Sequence, residues 1–124
     1  NRILEIDPKN KVILTRTGDA YRNTGDYKTA TEYYNRAMDI DFDVYAALGL
    51  ALICKGEGRY EEAIERLTKL VRDDQKNFRL YIDLADCYVK MNKKQNALDI
   101  LAQFQSLGIR NQAINEYVNQ VKAM

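Results

Sequence analysis

Histidine and tryptophan are absent from the 124 residues, and proline and serine occur once each, as Pro8 and Ser106. Without histidine the chain lacks the commonest general base and the commonest metal ligand among side chains. Neither Cys54 nor Cys87 therefore has the partner that activates a nucleophilic thiol. These absences argue against an enzyme and against a bound cofactor or metal.

An excess of charge of one sign is also missing. The chain has 19 basic and 18 acidic residues, a net charge of +1 and a pI of about 7.9. This balance gives no long-range attraction to nucleic acid or anionic lipid, and no apolar run approaches the ~20 residues that span a bilayer. No signal-peptide pattern is present, and because the chain opens on Asn1 we expect a fragment of a longer protein. We expect protein partners, without nucleic-acid binding or membrane insertion.

What the sequence does contain is a repeat of 33–34 residues. GDYKTATEYYNRAM (25–38) aligns with GRYEEAIERLTKLV (58–71) and then with NKKQNALDILAQFQ (92–105). The segments upstream align as well, so each repeat has two short helical patterns joined by a turn at Gly25, Gly58 or Asn92. A helix–turn–helix unit with this period is typical of an α-solenoid.

The apolar spacing predicts seven helices, at 11–24, 27–40, 44–56, 60–73, 78–91, 94–106 and 111–123. Asp26 and Asp43 are placed as N-caps of the second and third helices. Small residues stand where helices must approach closely; these are Gly18, Ala30, Ala51, Ala63, Ala85 and Ala97.

The repeat resembles the tetratricopeptide repeat (TPR) family. In the first repeat the resemblance is carried by Leu14, Thr17, Gly18, Tyr21, Gly25, Tyr27 and Ala30. It implies an all-α TPR-type solenoid, a right-handed superhelix of antiparallel helix pairs, in a single domain over residues 1–124. The expected divisions are the tail of a truncated preceding repeat at 1–10, repeats at 11–43, 44–77 and 78–110, and a C-terminal capping helix at 111–124. A truncated further repeat is the alternative for the last segment.

The two cysteines lie 33 residues apart, which matches the repeat length. Related positions on packed helices of successive repeats are roughly 10 Å apart, beyond the reach of a disulfide. We expect two buried thiols, which favours a reducing compartment such as the cytoplasm.

In TPR arrays the first helices line a concave groove, so their residues outside the core are candidates for ligand binding. The candidates for a peptide- or protein-binding groove are Arg16, Asp19, Tyr45, Leu48, Leu52, Lys55, Arg79, Ile82, Asp83 and Asp86. Thr15 is also expected to face the ligand, and Gly49 to leave a shallow hollow. An apolar centre with a charged rim suits a protein interface. The alternative is that neighbouring repeats or the last helix cover this surface.

The best-known TPR activity holds the carboxylate end of heat-shock chaperones with lysine, arginine and asparagine side chains. The matching positions here are Thr15, Asp19, Gly49, Arg79 and Asp83. Only Arg79 keeps the required charge, and the two aspartates would repel a carboxylate. The sequence therefore does not predict that clamp.

We predict a non-catalytic protein–protein interaction scaffold that binds a peptide or helix of a partner in the concave groove. A rival hypothesis is a structural segment that packs against its own parent chain or copies of itself, through an N-terminal edge at Ile3, Leu4 and Ile6. A third is that the chain is the regulatory arm of a larger enzyme.

Overall fold

The computed structural model describes residues 10–124, so the predicted repeat tail, with Ile3, Leu4, Ile6 and Pro8, lies almost entirely outside the described residues. The described part contains seven α-helices and no strand. They are α1 (Lys11–Asn23), α2 (Tyr27–Ile40), α3 (Val44–Gly56), α4 (Tyr60–Asp73), α5 (Phe78–Lys90), α6 (Lys94–Gln105) and α7 (Gln112–Lys122). Each helix end lies within one residue of its predicted bound, and the all-α prediction is confirmed.

Side-chain caps account for where most of these helices begin. Asp26 accepts a hydrogen bond from the backbone N of Thr29 at 3.2 Å, and Asp43 accepts one from Tyr45 N at 3.0 Å, as predicted. Three further caps were not predicted, and all are asparagines: Asn10, Asn77 and Asn111. Each cap satisfies a backbone N–H that the start of a helix leaves without an intrahelical partner.

The turns predicted at Gly25, Gly58 and Asn92 are confirmed, and each uses a residue with positive φ. Gly25 has φ +86° and Asn92 has φ +60°. Glycine adopts this region without a steric penalty, and asparagine is one of the few other residues that visit it routinely. The chain therefore reverses direction at the same place in each repeat.

The described helices form two compact units. The first, within residues 10–57, contains α1, α2 and α3, and every pair of these helices is in contact. The second, residues 58–124, contains α4 to α7; α5 packs against the other three, and α6 also contacts α7. The predicted repeat at 44–77 contributes one helix to each unit, and the repeat boundaries remain a prediction.

Small residues allow close packing in the first unit. Ala30, Ala37 and Ala46 are completely buried, with the side chain of Tyr34 packed among them. Helix α3 has apolar residues around its whole circumference, so it is buried over a wide arc; its buried residues are Ala46, Gly49, Ala51, Ile53 and Cys54.

The second unit has a core of the same kind. Ala63, Ala85 and Ala97 are completely buried, and the rings of Tyr81 and Phe104 meet edge to face with centroids 5.1 Å apart. Helix α7 buries an apolar stripe of Ile114, Val118 and Val121 and exposes a polar face of Gln112, Asn115, Glu116, Asn119 and Gln120. A polar outer face is what a capping helix requires.

Cys54 and Cys87 are both buried, and neither forms a disulfide bond, as expected. No helix in residues 10–124 combines the length and the apolar character needed to cross a bilayer. Within the same residues, no group of three or more Cys, Asp or Glu side chains is placed to hold a metal ion.

Candidate functional site

Tyr34 of α2 reaches into the space between α1 and α3. Its side chain is completely buried, and Gly18 and Gly49 flank its ring. A Cβ added at Gly18 would lie 2.7 Å from Tyr34 Cε1, and one added at Gly49 would lie 2.2 Å from Tyr34 Cζ. The expectation that Gly49 leaves a surface hollow is therefore wrong, because the ring of Tyr34 fills that space.

The hydroxyl of Tyr34 joins a polar network with two residues of α1. It donates a hydrogen bond to Asp19 Oδ1 and accepts one from Arg22 Nε at 3.0 Å, and Arg22 Nη2 lies 3.7 Å from the same Asp19 oxygen. Burial, followed by the hydrogen bond to Asp19, raises the pKa of Tyr34 to about 12. Oδ1 of Asp19, whose carboxylate is predicted to bind basic groups of a ligand, thus already has partners within the chain.

A second internal contact fixes the start of α3 against α1. Asp43 is buried, and its Oδ1 accepts the N-cap hydrogen bond from Tyr45 N. Its Oδ2 accepts a hydrogen bond from Thr15 Oγ1. The negative charge of Asp43 also lies at the positive end of the α3 dipole. Thr15, expected to face a ligand, is buried, and its hydroxyl is directed to Asp43.

A depression of about 720 Å³ opens on the surface between α1 and the start of α3. We call it the α1–α3 groove; its lining residues are Lys11, Val12, Thr15, Arg16, Asp19, Phe42, Asp43, Val44 and Tyr45. Three of the predicted groove residues therefore come together here: Arg16, Asp19 and Tyr45. Leu48, Leu52 and Lys55 follow on α3, are partly buried, and do not line this depression.

The walls of the α1–α3 groove are largely apolar and open to solvent. Tyr45 is 70% exposed, Phe42 56% and Val12 53%. Phe42 was missed by the sequence analysis, which considered only the first helix of each repeat. A signal was present, because Phe42 stands between two aspartates in the short linker that joins α2 to α3.

The other four predicted residues, Arg79, Ile82, Asp83 and Asp86, lie on α5 in the second unit. Tyr117 of α7 donates a hydrogen bond to Asp86 Oδ1 at 3.1 Å. Burial, together with the charge of Asp86, raises the pKa of Tyr117. Helix α7 therefore engages Asp86 from within the chain. Arg79 is exposed, with its guanidinium carbon 5.8 Å from the ring centroid of Phe78.

Comparison with known proteins gives the family. Two profiles described as tetratricopeptide repeat match residues 13–44 and 56–105, which together make up about two thirds of the chain. Superkiller protein 3 of Schizosaccharomyces pombe is 32% identical over 95 residues, covering 76% of this chain and 7% of that protein. RNA polymerase-associated protein CTR9 of Saccharomyces cerevisiae is 30% identical over 116 residues, covering 84% of this chain and 11% of that protein. The chain thus spans a small part of the length of these relatives.

A solved structure shares the fold. The first TPR domain of Spaghetti (RPAP3), bound to the HSP90 peptide SRMEEVD, superposes with a TM-score of 0.76 at 16% identity, covering 94% of this chain and 96% of that one. The chain belongs to the tetratricopeptide repeat family, and its fold is the all-α TPR solenoid fold.

Proposed function

We propose that this chain is a non-catalytic protein-interaction module and that the α1–α3 groove binds a segment of a partner protein. TPR domains typically mediate protein–protein interaction, and a domain of the same fold has been solved with a bound peptide. The observation that carries the proposal is the exposure of Val12, Phe42 and Tyr45 around one depression. Contiguous exposed apolar surface generally has a partner.

The composition of the groove also suits a protein ligand. Aromatic and aliphatic side chains form its walls, and the charged residues Lys11, Arg16 and Asp19 stand beside them. Protein interfaces commonly combine an apolar centre with a polar rim, and aromatic residues supply much of their binding energy. We do not extend the proposal to the chaperone tail, because the clamp positions of this chain lack the necessary cations.

The experiment is a selection from a displayed random-peptide library on the purified chain, followed by fluorescence anisotropy with the selected peptides. We expect Tyr45→Ser and Phe42→Ser to weaken binding by about tenfold or more each, as for central aromatic contacts. Ile109→Ser is the matched control, because Ile109 is an exposed apolar residue of the second unit. Selected peptides that bind both groove variants as tightly as the unmodified chain would contradict the proposal.

A further inference from the structure

The acidic side chains of the α1–α3 groove are already engaged within the chain. Asp19 accepts the hydroxyl of Tyr34 and lies 3.7 Å from the guanidinium of Arg22. Asp43 is buried and accepts the hydroxyl of Thr15. Arg22 already places a cation beside Asp19, so a cation brought by a ligand would meet the like charge of Arg22 there. Both oxygens of the buried Asp43 have internal donors, and a ligand that recruited this carboxylate would have to displace one of them at an energetic cost.

The two basic residues of the groove differ in availability. Lys11 Nζ donates to the carbonyl oxygen of Phe42 at 3.2 Å and lies 3.9 Å from Asp41 Oδ2. Arg16 is exposed, and its guanidinium forms no hydrogen bond or ion pair with any residue between 10 and 124. Arg16 is therefore the basic residue of this groove whose charge is not already paired within residues 10–124.

Arg16 stands next to the exposed apolar surface. Val12 precedes it by four residues on α1, so the two side chains share one face of the helix. Phe42 and Tyr45 line the same depression. A ligand can place an apolar side chain against Val12, Phe42 and Tyr45 while a neighbouring carboxylate meets Arg16. The planar guanidinium favours this pairing, because its N–H groups match both oxygens of a carboxylate.

We propose that the segment bound by the α1–α3 groove is acidic and hydrophobic: a large aliphatic or aromatic residue flanked by Asp or Glu, whose side-chain carboxylate pairs with Arg16. This inference rests on the proposed function and specifies its ligand. The carboxylate is that of a side chain, since the groove has a single basic residue without an internal ion pair, Arg16, whereas the family's clamp holds a chain terminus with several polar and basic residues.

The test compares three pools of short fluorescent peptides with amidated C-termini. Each pool has Phe or Leu at its centre, flanked by Glu in the acidic pool, Gln in the neutral pool and Lys in the basic pool, with the other positions mixed. The proteins are the unmodified chain, Arg16→Gln, Tyr45→Ser and the matched control Arg36→Gln. Arg36 is an exposed arginine of α2 that does not line the groove. Binding is measured by anisotropy at low and high salt.

We expect the acidic pool to bind the unmodified chain about fivefold more tightly than the neutral pool, the upper range for an exposed ion pair. Arg16→Gln should remove this preference, Arg36→Gln should retain it, and high salt should reduce it. Equal binding of the three pools, or a preference that survives Arg16→Gln, overturns the inference. If Tyr45→Ser nevertheless weakens the binding of all three pools, the inference about acidic ligands fails but the proposed function stands.

Two other outcomes count against both proposals. Binding of no pool, or binding that is indifferent to Tyr45→Ser, removes the groove as a peptide site. Sedimentation of the chain without peptide tests whether a second copy of the chain occupies the groove. A concentration-dependent dimer that is lost in Tyr45→Ser would assign the groove to self-association and overturn the acidic-ligand inference.

Discussion

Replacing Gly49 with alanine tests the packing that shapes the groove. The added methyl would lie 2.2 Å from Cζ of Tyr34 and 2.6 Å from its Cε2 and Oη. The ring has little room to move towards α1, because it already packs so closely on Gly18 that a Cβ built there would lie 2.7 Å from it. The clash between the added methyl group and the ring can therefore be relieved only if α1 and α3 separate or if the ring of Tyr34 leaves its buried position.

Two effects of opposite sign determine how much Gly49→Ala changes the free energy of unfolding. Forcing extra volume into a packed core costs roughly 1–3 kcal/mol, whereas Gly→Ala inside a helix gains about 0.8–1.0 kcal/mol. Because the ring is confined on both sides and its hydroxyl is hydrogen-bonded, we place the overpacking cost at the upper end. The expected net loss is about 1–2 kcal/mol in the free energy of unfolding, which corresponds to roughly 4 °C in melting temperature for each kcal/mol.

The assay is urea unfolding followed by far-UV circular dichroism, combined with a double-mutant cycle. In a Tyr34→Leu background the clash disappears, so Gly49→Ala should become stabilising by about 0.5–1 kcal/mol. Gly56→Ala is the control: a Cβ there meets the hydroxyl end of the partly buried Tyr27 at an exposed helix end. It should change stability by less than about 0.5 kcal/mol. A Gly49→Ala variant as stable as the unmodified chain, or the same loss in both backgrounds, would refute the packing argument.

Two further predictions concern the polar contacts of the first unit. The pKa of Tyr34 is raised from 10.0 to about 12 in the folded chain, so its contribution to stability is present below pH 10 and is lost as pH rises from 10 to 12. Urea unfolding measured at a series of pH values should show that Tyr34→Phe loses less stability between pH 10 and 12 than the unmodified chain does. An identical loss of stability in the two proteins would contradict the raised pKa of Tyr34. Thr15→Val leaves Oδ2 of the buried Asp43 without its donor and should cost about 1–3 kcal/mol, measured by the same unfolding assay. Asp43→Ala removes the N-cap as well, at about 1–2 kcal/mol; because both changes delete one contact, the double variant should lose less than the sum.

The architecture could be read from the sequence because it depends on periodic features. The spacing of apolar residues, the turn residues Gly25, Gly58 and Asn92, and the caps Asp26 and Asp43 are all local signals, and the structure confirms each. The repeat strengthens each of these local signals, since a helix with a weak pattern in one repeat is supported by the equivalent helices of the other repeats. Hence the helix ends were predicted to within one residue.

The groove could be predicted only in part, because internal contacts between side chains are not periodic. Arg16, Asp19 and Tyr45 could be placed on a shared surface from their helical positions. That Asp19 binds Tyr34, and that Thr15 binds Asp43, depends on side chains from different helices meeting at distances that no single-helix pattern encodes. The position of Gly49 illustrates the limit: its lack of a side chain serves the ring of Tyr34 and not the surface.

The buried ring of Tyr34 also links the packing of the core to the charges that line the groove. Tyr34 can reach Asp19 only because Gly18 and Gly49 leave room for its ring between α1 and α3. Once there, its hydroxyl donates to Asp19, which also lies beside Arg22, whereas Arg16 next to the exposed Val12 has no ion pair within residues 10–124. The preference that we propose for acidic ligands is therefore set by core packing as well as by surface composition. Gly18 and Gly49 do not line the groove, but by making room for Tyr34 they contribute to its preference for acidic ligands.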